Sequence, residues 1–325
     1  MKKRIISLVM IILCISGCLT GCKKEKTNSK KIVLNEVAHS IFYAPQYVAI
    51  ELGYFKDEGI ELVLETGFGA DKTMTALISG NADIGFMGSE SSIYAYVEGA
   101  GDYAVNFAGL TQRAGNFLVS RTPIEDFSWD MIKEKNVIGG RKGGMPQMVL
   151  EYILKKNNID PEKDVNIEQN IDFGLTAGAF SGDTKYDFTV EFEPGATALE
   201  KEGKGYVVAS LGVDSGYVPY TSYCAKKSYI EKNKELILSF NKAINRGLQY
   251  VATHSSEEIA KVIAPQFADT DIETIATIVE RYKKQDTWKE SVFFEKKDFE
   301  LLEDILIEAG ELKEKVPYED LVVNP

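Results

Sequence analysis

The chain has 325 residues, a formal net charge of −12, two histidines and four cysteines. At roughly 150 residues per domain the length predicts about two domains, and 44% hydrophobic against 26% charged residues excludes wholesale disorder and fibrous architectures. The acidic balance argues against nucleic acid as a partner, and two histidines leave little room for a His-based metal site or a Ser-His-Asp triad.

Lys2, Lys3 and Arg4 open the chain, Ile5 to Leu19 is mostly apolar, and Leu19-Thr20-Gly21-Cys22 follows. A charged start, a short greasy core and small residues ahead of a cysteine read as a secretory signal over residues 1–21. The Leu-Thr-Gly-Cys run resembles the bacterial lipobox, which implies lipid transfer to the Cys22 sulfur, cleavage before it and acylation of the new N-terminus. The alternative is an uncleaved membrane helix, since Ile5 to Cys22 carries no charge and approaches the roughly 20 residues needed to span; serines, glycines and a threonine dilute that core. Cys14 and Cys18 leave with the signal, and Cys224 then has no partner, so no internal disulfide and no cysteine metal site are expected. Residues 22–31, polar and basic, are expected to form a flexible tether that holds the body at the outer face of the cytoplasmic membrane.

From Ile32 the sequence alternates strands and helices. Ile32 to Val37 predicts a strand, Pro45 suits the first turn of a helix continuing to Leu52, and alternation over Ile60 to Leu64 predicts a second strand. Thr73 to Ser79 predicts a helix stopped by Gly80, Asp83 to Gly88 a strand and Ser91 to Val97 a helix, with strands near Ala104 to Ala108 and Phe117 to Ser120. A second such stretch holds a strand at Val137 to Gly139, a helix at Pro146 to Lys156, a strand at Tyr186 to Val190, a helix at Pro194 to Lys201 and a strand at Tyr206 to Ser210. Thr221 to Ala225 reads as a strand returning to the first unit, and beyond Lys226 apolar stripes at helical spacing predict a helical cover. The pattern is α/β, with two units of mixed sheet flanked by helices.

In open α/β sheets ligands bind beyond the carboxyl ends of strands, near helix N-termini. The candidate loops carry Phe42 and Tyr43; Phe68 and Gly69; Ser89 and Glu90; Lys142, Gly143, Gly144 and Met145; and Glu191 and Glu193. Glycines admit close backbone approach, helix N-terminal amides meet an acceptor, and the aromatic rings suit a planar or apolar face. Plainer readings stand beside these: Phe42 and Tyr43 as core, Ser89 as a helix cap, the run from Gly139 to Gly144 as a turn, Glu191 and Glu193 as solvated carboxylates, and His39 as a hydrogen-bonded loop residue. Gly67-Phe68-Gly69 fails as a dinucleotide fingerprint because Lys72 stands at its third glycine, and the 139–144 run lacks the ending of a phosphate-binding P-loop.

The segments from Tyr47 to Ile60 and from Ala76 to Gly85, with Phe192-Glu193-Pro194 and the ending from Val316 to Val322, resemble solute-binding proteins of bacterial ABC importers. The branch is the one for nitrate, sulfonates, taurine and thiamine pyrimidine precursors. The resemblance implies a two-lobed type II periplasmic-binding fold, with lobe I at 32–121 and 222–325, lobe II at 122–221, and crossings near Ser120–Thr122 and Tyr220–Ser222. It implies a monomer that closes on a small solute and delivers it to a permease with its ATPase, without a cofactor and without catalysis. Fungal thiamine pyrimidine synthases share the fold but carry Asn-His-Thr-Gly where Phe42-Tyr43-Ala44-Pro45 stands here, together with a cysteine-rich motif that this chain lacks. Two solute classes are open. A sulfonate favours Ser89 with Arg141 or Lys142, and an amine-bearing heteroaromatic favours Phe42, Tyr43 and Phe68 with Glu90 or Glu193. The carboxylates tilt the expectation towards the amine. A lipid-anchored interaction protein with a vestigial cleft is the third reading.

Overall fold

The computed structural model describes residues 29–172 and 174–325, and the signal segment and Cys22 lie outside the described residues. In chain order the strands are β1 (Lys30–Glu36), β2 (Ile60–Thr66), β3 (Ile84–Gly88), β4 (Ala104–Thr111), β5 (Phe117–Ser120), β6 (Asn136–Ile138), β7 (Asn166–Glu168), β8 (Phe188–Glu191), β9 (Tyr206–Ser210) and β10 (Thr221–Lys226). The helices are α1 (Ala44–Glu51), α2 (Tyr54–Asp57), α3 (Ala70–Ser79), α4 (Glu90–Val97), α5 (Met145–Lys156), α6 (Thr176–Gly182) and α7 (Gly195–Lys201). They continue as α8 (Leu211–Ser215), α9 (Lys227–Lys232), α10 (Lys234–Thr253), α11 (Ser256–Ile263), α12 (Ile272–Lys284), α13 (Lys296–Glu308) and α14 (Tyr318–Leu321).

The strands form two five-stranded sheets, ordered β2-β1-β3-β10-β4 and β7-β6-β8-β5-β9. In the first, β1 is parallel to β2 and β3, and β10 runs antiparallel between β3 and β4. In the second, β6 is parallel to β7 and β8, and β5 runs antiparallel between β8 and β9. The two sheets share one plan, three parallel strands followed by an antiparallel strand inserted before the edge. Parallel pairing requires helical crossovers that cover the sheet, and Ile32, Leu34, Ile84 and Phe86 are accordingly buried.

Two boundaries correct the sequence reading. Phe117–Ser120, expected to close the first unit within 32–121, is β5 and pairs with β8 and β9 in the second sheet. The chain therefore changes sheets over residues 112–116, ahead of the expected crossing at Ser120–Thr122. All four residues of β5 are buried, and a short apolar run carries no periodicity that tells which sheet it joins. Lys30 and Lys31, expected to end the tether, pair with Ile60 and Glu61 as the start of β1. The return crossing, residues 211–220, runs beside the first. Leu211 N–H donates to the Asn116 carbonyl at 3.1 Å, Val218 N–H to Gln112 at 2.9 Å and Tyr220 N–H to Thr111 at 3.3 Å.

The helical segment after β10 packs mainly on the first sheet's helices, through the buried stripe Leu236, Phe240, Ile244, Leu248 and Val251 of α10. Where α10 crosses α1 the backbones almost touch: a Cβ on Gly247 would lie 2.1 Å from the Pro45 carbonyl oxygen. Helix starts follow local chemistry. Ser255 and Glu258 form a reciprocal capping box on α11, and the Asp271 side chain accepts from Thr274 N–H at the start of α12. Helix α12 reaches the second sheet's loops as well, since the Tyr282 hydroxyl donates to the Gly115 carbonyl at 2.9 Å and the Arg281 guanidinium meets Glu193 and Glu200. One continuous buried apolar cluster runs through both halves. Its bridge is aromatic: Phe42 lies 5.7 Å from Phe192, 5.7 Å from Tyr220 and 5.4 Å from Tyr282, between ring centroids.

Candidate ligand-binding site

The carboxyl ends of β1, β2 and β3 in one sheet and of β6 and β8 in the other lead into the loops named above, and these loops meet. The Ser40 hydroxyl donates to the Glu193 carbonyl at 2.9 Å and the Tyr94 hydroxyl to the Gly143 carbonyl at 3.2 Å. At the rim, Arg141 lies 3.5 Å from Asp71 and 3.8 Å from Asp172. The elements that form this junction are the turn Ile41–Tyr43, capped by the Ser40 side chain, and the start of α4 at Glu90.

Glu90 is the chemical centre of the junction. It is only 3% exposed, and its Oε2 has no hydrogen-bond partner. The carboxyl group folds back over Gly88, where a Cβ would lie 2.2 Å from Oε2 and 2.4 Å from Oε1, so a side chain there would displace the Glu90 carboxyl group. Burial pushes the Glu90 carboxyl up to about 8. Its charge in turn helps to raise the phenols of Tyr43, Tyr94 and Tyr220, for all of which burial is the larger cause. Beside it the Ser89 Oγ and the Tyr220 hydroxyl are also buried without a partner, and Ser89 N–H donates to the Tyr220 carbonyl at 3.3 Å. Buried polar groups are ordinarily paired. Here a carboxyl, an alcohol and a phenol are buried and unpaired, with aromatic rings around them.

The other predicted residues fall elsewhere or are already engaged. Phe42 and Tyr43 are buried in the aromatic bridge, with Tyr43 packed on Phe86 at 4.5 Å. Phe68, expected to cover a ligand, is 69% exposed, and its backbone takes a positive φ of 57° at the tip of its loop. Gly69 precedes α3, and its N–H donates to the Val37 carbonyl at 3.1 Å. The Lys142 side chain is exposed, Gly143 and Gly144 are half-buried, and Met145 is buried in the first turn of α5. Ser89 does not cap α4: its own backbone is helical, φ −63° and ψ −23°, whereas a capping residue is extended.

The reading of Glu191 and Glu193 as solvated carboxylates is also corrected, because both are buried. Glu191 accepts from the hydroxyls of Thr189 at 2.7 Å and Thr176 at 2.9 Å, and burial pushes it up to about 7. Glu193 accepts from Thr197 N–H at 2.9 Å, the Thr197 hydroxyl at 3.0 Å and Arg281 at 2.5 Å. Glu193 is thus already engaged by Thr197 and Arg281. His39 donates from Nδ1 to Glu36 at 2.7 Å and from Nε2 to the Gln266 carbonyl at 2.8 Å, which fixes the loop ahead of Ser40. Glu36 itself accepts further from Gln46 and Tyr47. Sequence reasoning passed over Tyr94 and Tyr220 as site residues, and neither stands in a motif that would have marked it.

Residues 41–258 match the family profile described as NMT1/THI5 like. The chain belongs to the NMT1/THI5-like family. A Bacillus subtilis (strain 168) protein named as a candidate binding protein, YtlA, is 48% identical over 304 residues, covering 94% of this chain and 90% of the relative. Among solved structures, the fold is similar to the alkanesulfonate-binding protein SsuA of Xanthomonas axonopodis pv. citri bound to MOPS, at TM-score 0.74 and 14% identity over 91% of this chain and 98% of that one. It is similar as well to the periplasmic nitrate-binding protein NrtA of Synechocystis PCC 6803, at TM-score 0.74 and 14% identity over 90% of this chain and 86% of that one. These likenesses show that this NMT1/THI5-like chain has the periplasmic-binding fold. Among the described residues no helix is long and apolar enough to cross a membrane, and no cluster of His, Cys, Asp or Glu is arranged to hold a metal ion.

Proposed function

We propose that this protein is the extracytoplasmic solute-binding component of an ABC importer, held by a lipid on Cys22 and working as a monomer. Two lobes, each built on one sheet and joined by residues 112–116 and 211–220, close on a small amine-bearing organic solute and present it to a permease and its ATPase. A heteroaromatic such as a thiamine pyrimidine precursor fits this description. The relative named as a candidate binding protein and the alkanesulfonate- and nitrate-binding proteins of the same fold support the role.

The observation that carries the solute class is Glu90. A buried carboxyl group with a bare oxygen, ringed by Tyr43, Tyr94 and Tyr220, suits a cation: opposite charges attract strongly away from water, and aromatic faces add cation–π attraction. The cations that a sulfonate or nitrate would need are spent elsewhere, since Arg141 is paired with Asp71 and Asp172 and Lys142 points to solvent.

The test is a calorimetric titration with amines, aminopyrimidines, taurine, alkanesulfonates and nitrate, repeated between pH 6 and 8.5. An ammonium group must find Glu90 ionised, so its binding expels a proton and tightens as pH rises towards about 8. A sulfonate needs Glu90 protonated and weakens over the same range. Tighter binding of the protonated alkylamines with rising pH supports the proposal. Sulfonate or nitrate binding that weakens as pH rises would replace the solute class with the alternative one, and silence across the panel would count against the receptor role.

A further inference from the structure

The crossing that precedes β5 holds a second bare polar group. Asn116 is fully buried, and neither its Oδ1 nor its Nδ2 has a partner. The backbone carbonyls of residues 114–116 are each engaged. The Asn116 carbonyl accepts from Leu211 N–H at 3.1 Å, the Gly115 carbonyl from the Tyr282 hydroxyl at 2.9 Å, and the Ala114 carbonyl from Gln285 Nε2 at 3.0 Å. A fully buried amide with nothing to bond is not explained by the fold alone. Its position ties it to the cleft. Gly115, the residue before it, lies against the Phe42 ring so closely that a Cβ there would stand 2.4 Å from Phe42 carbons, and Phe42 in turn packs on Tyr43 and Tyr220 beside Glu90. Phe117, the residue after it, packs on Tyr282 at 5.8 Å. Asn116 itself stands in the crossing, one residue ahead of β5.

We propose that Asn116 is a specificity-determining residue of the cleft, whose carboxamide pairs with a neighbouring donor and acceptor on the solute. This rests on the reading of the cleft as a solute site. A carboxamide offers one acceptor and two donors in a plane, which matches an amide, an amidine or a ring nitrogen beside an exocyclic amine. Glu90 and Asn116 then read different parts of one molecule, the amine by charge and the planar edge by hydrogen bonds. A site built to pair such an edge rejects an analogue lacking it, because its own buried groups are left bare.

The two roles separate with matched probes: benzylamine carries only the amine, benzamide only the edge, and 3- and 4-(aminomethyl)benzamide both. Affinities are measured by calorimetry for the wild type, Asn116→Leu and Asn116→Asp, with melting temperatures of the unliganded proteins. The proposal expects the wild type to bind one bifunctional probe at least tenfold more tightly than benzylamine. Asn116→Leu should erase that gap, leave benzylamine within twofold and melt no lower than the wild type; Asn116→Asp, which keeps an acceptor and loses the donors, should narrow the gap. A gap that survives Asn116→Leu would assign the amide to a buried water and overturn the proposal, as would a wild type without a gap or failure of both variants to fold. Benzylamine binding without a gap overturns Asn116 alone. Binding of methanesulfonate in place of every amine, or of no probe at all, overturns the amine reading along with it.

Discussion

Replacing Glu90 with glutamine removes a buried acid while keeping its shape, and the consequence can be worked from the structure. The folded carboxyl group titrates at about 8 because burial disfavours its charge, against 4.5 for an ordinary glutamate. The folded state therefore keeps a proton that the unfolded chain releases, and stability falls as pH rises from about 4.5 to about 8. Each unit corresponds to about 1.4 kcal/mol, so the loss attributable to this group approaches about 4 kcal/mol near pH 7.5. Glutamine has no proton to lose. Glu90→Gln should match the wild type near pH 4.5 and exceed it progressively above, by up to about 4 kcal/mol, or roughly 8 °C at about 2 °C per kcal/mol for a chain of this size. Other groups titrate alike in both proteins, so scanning calorimetry of the pair from pH 4.5 to 8 isolates the effect. A difference independent of pH, or a variant that melts lower at pH 8, would refute the burial argument. The same change should abolish the rise in amine affinity with pH.

Arg281→Met leaves the buried Glu193 carboxylate with Thr197 alone, and breaking such a pair costs about 3–5 kcal/mol; denaturant unfolding would measure it, and a loss below about 1 kcal/mol would show the pair to be dispensable. His39 has its pKa raised by the hydrogen bond to Glu36, so the stability it contributes is fully present below about 6.5 and is lost as pH rises through the raised value. His39→Gln should flatten that part of the pH–stability curve, and an unchanged curve would show the contact to be neutral.

Much of the fold was legible because its signals are local. Glycine at the end of α3, proline in the first turns of α1 and α5, and the alternation or greasiness of the parallel strands each mark an element without reference to the rest. What was not legible depends on partners distant in sequence. Phe117–Ser120 reads as a strand in any context, and only its pairing with β8 and β9 assigns it to the second sheet. Glu90 and Glu193 are both glutamates after a strand, and they differ because Arg281, 88 positions on from Glu193, neutralises one and leaves the other. Ser89 looks like a cap until its helical backbone is known. Asn116 and Tyr220 carry no motif at all; burial without a partner is their whole signal.

The most direct test is mass spectrometry of the small molecules released when protein purified from its native cells is denatured. The account predicts one amine-bearing species in near-stoichiometric amount, absent from Glu90→Gln prepared in the same way. An alkanesulfonate or nitrate in that fraction, retained equally by the variant, would contradict it.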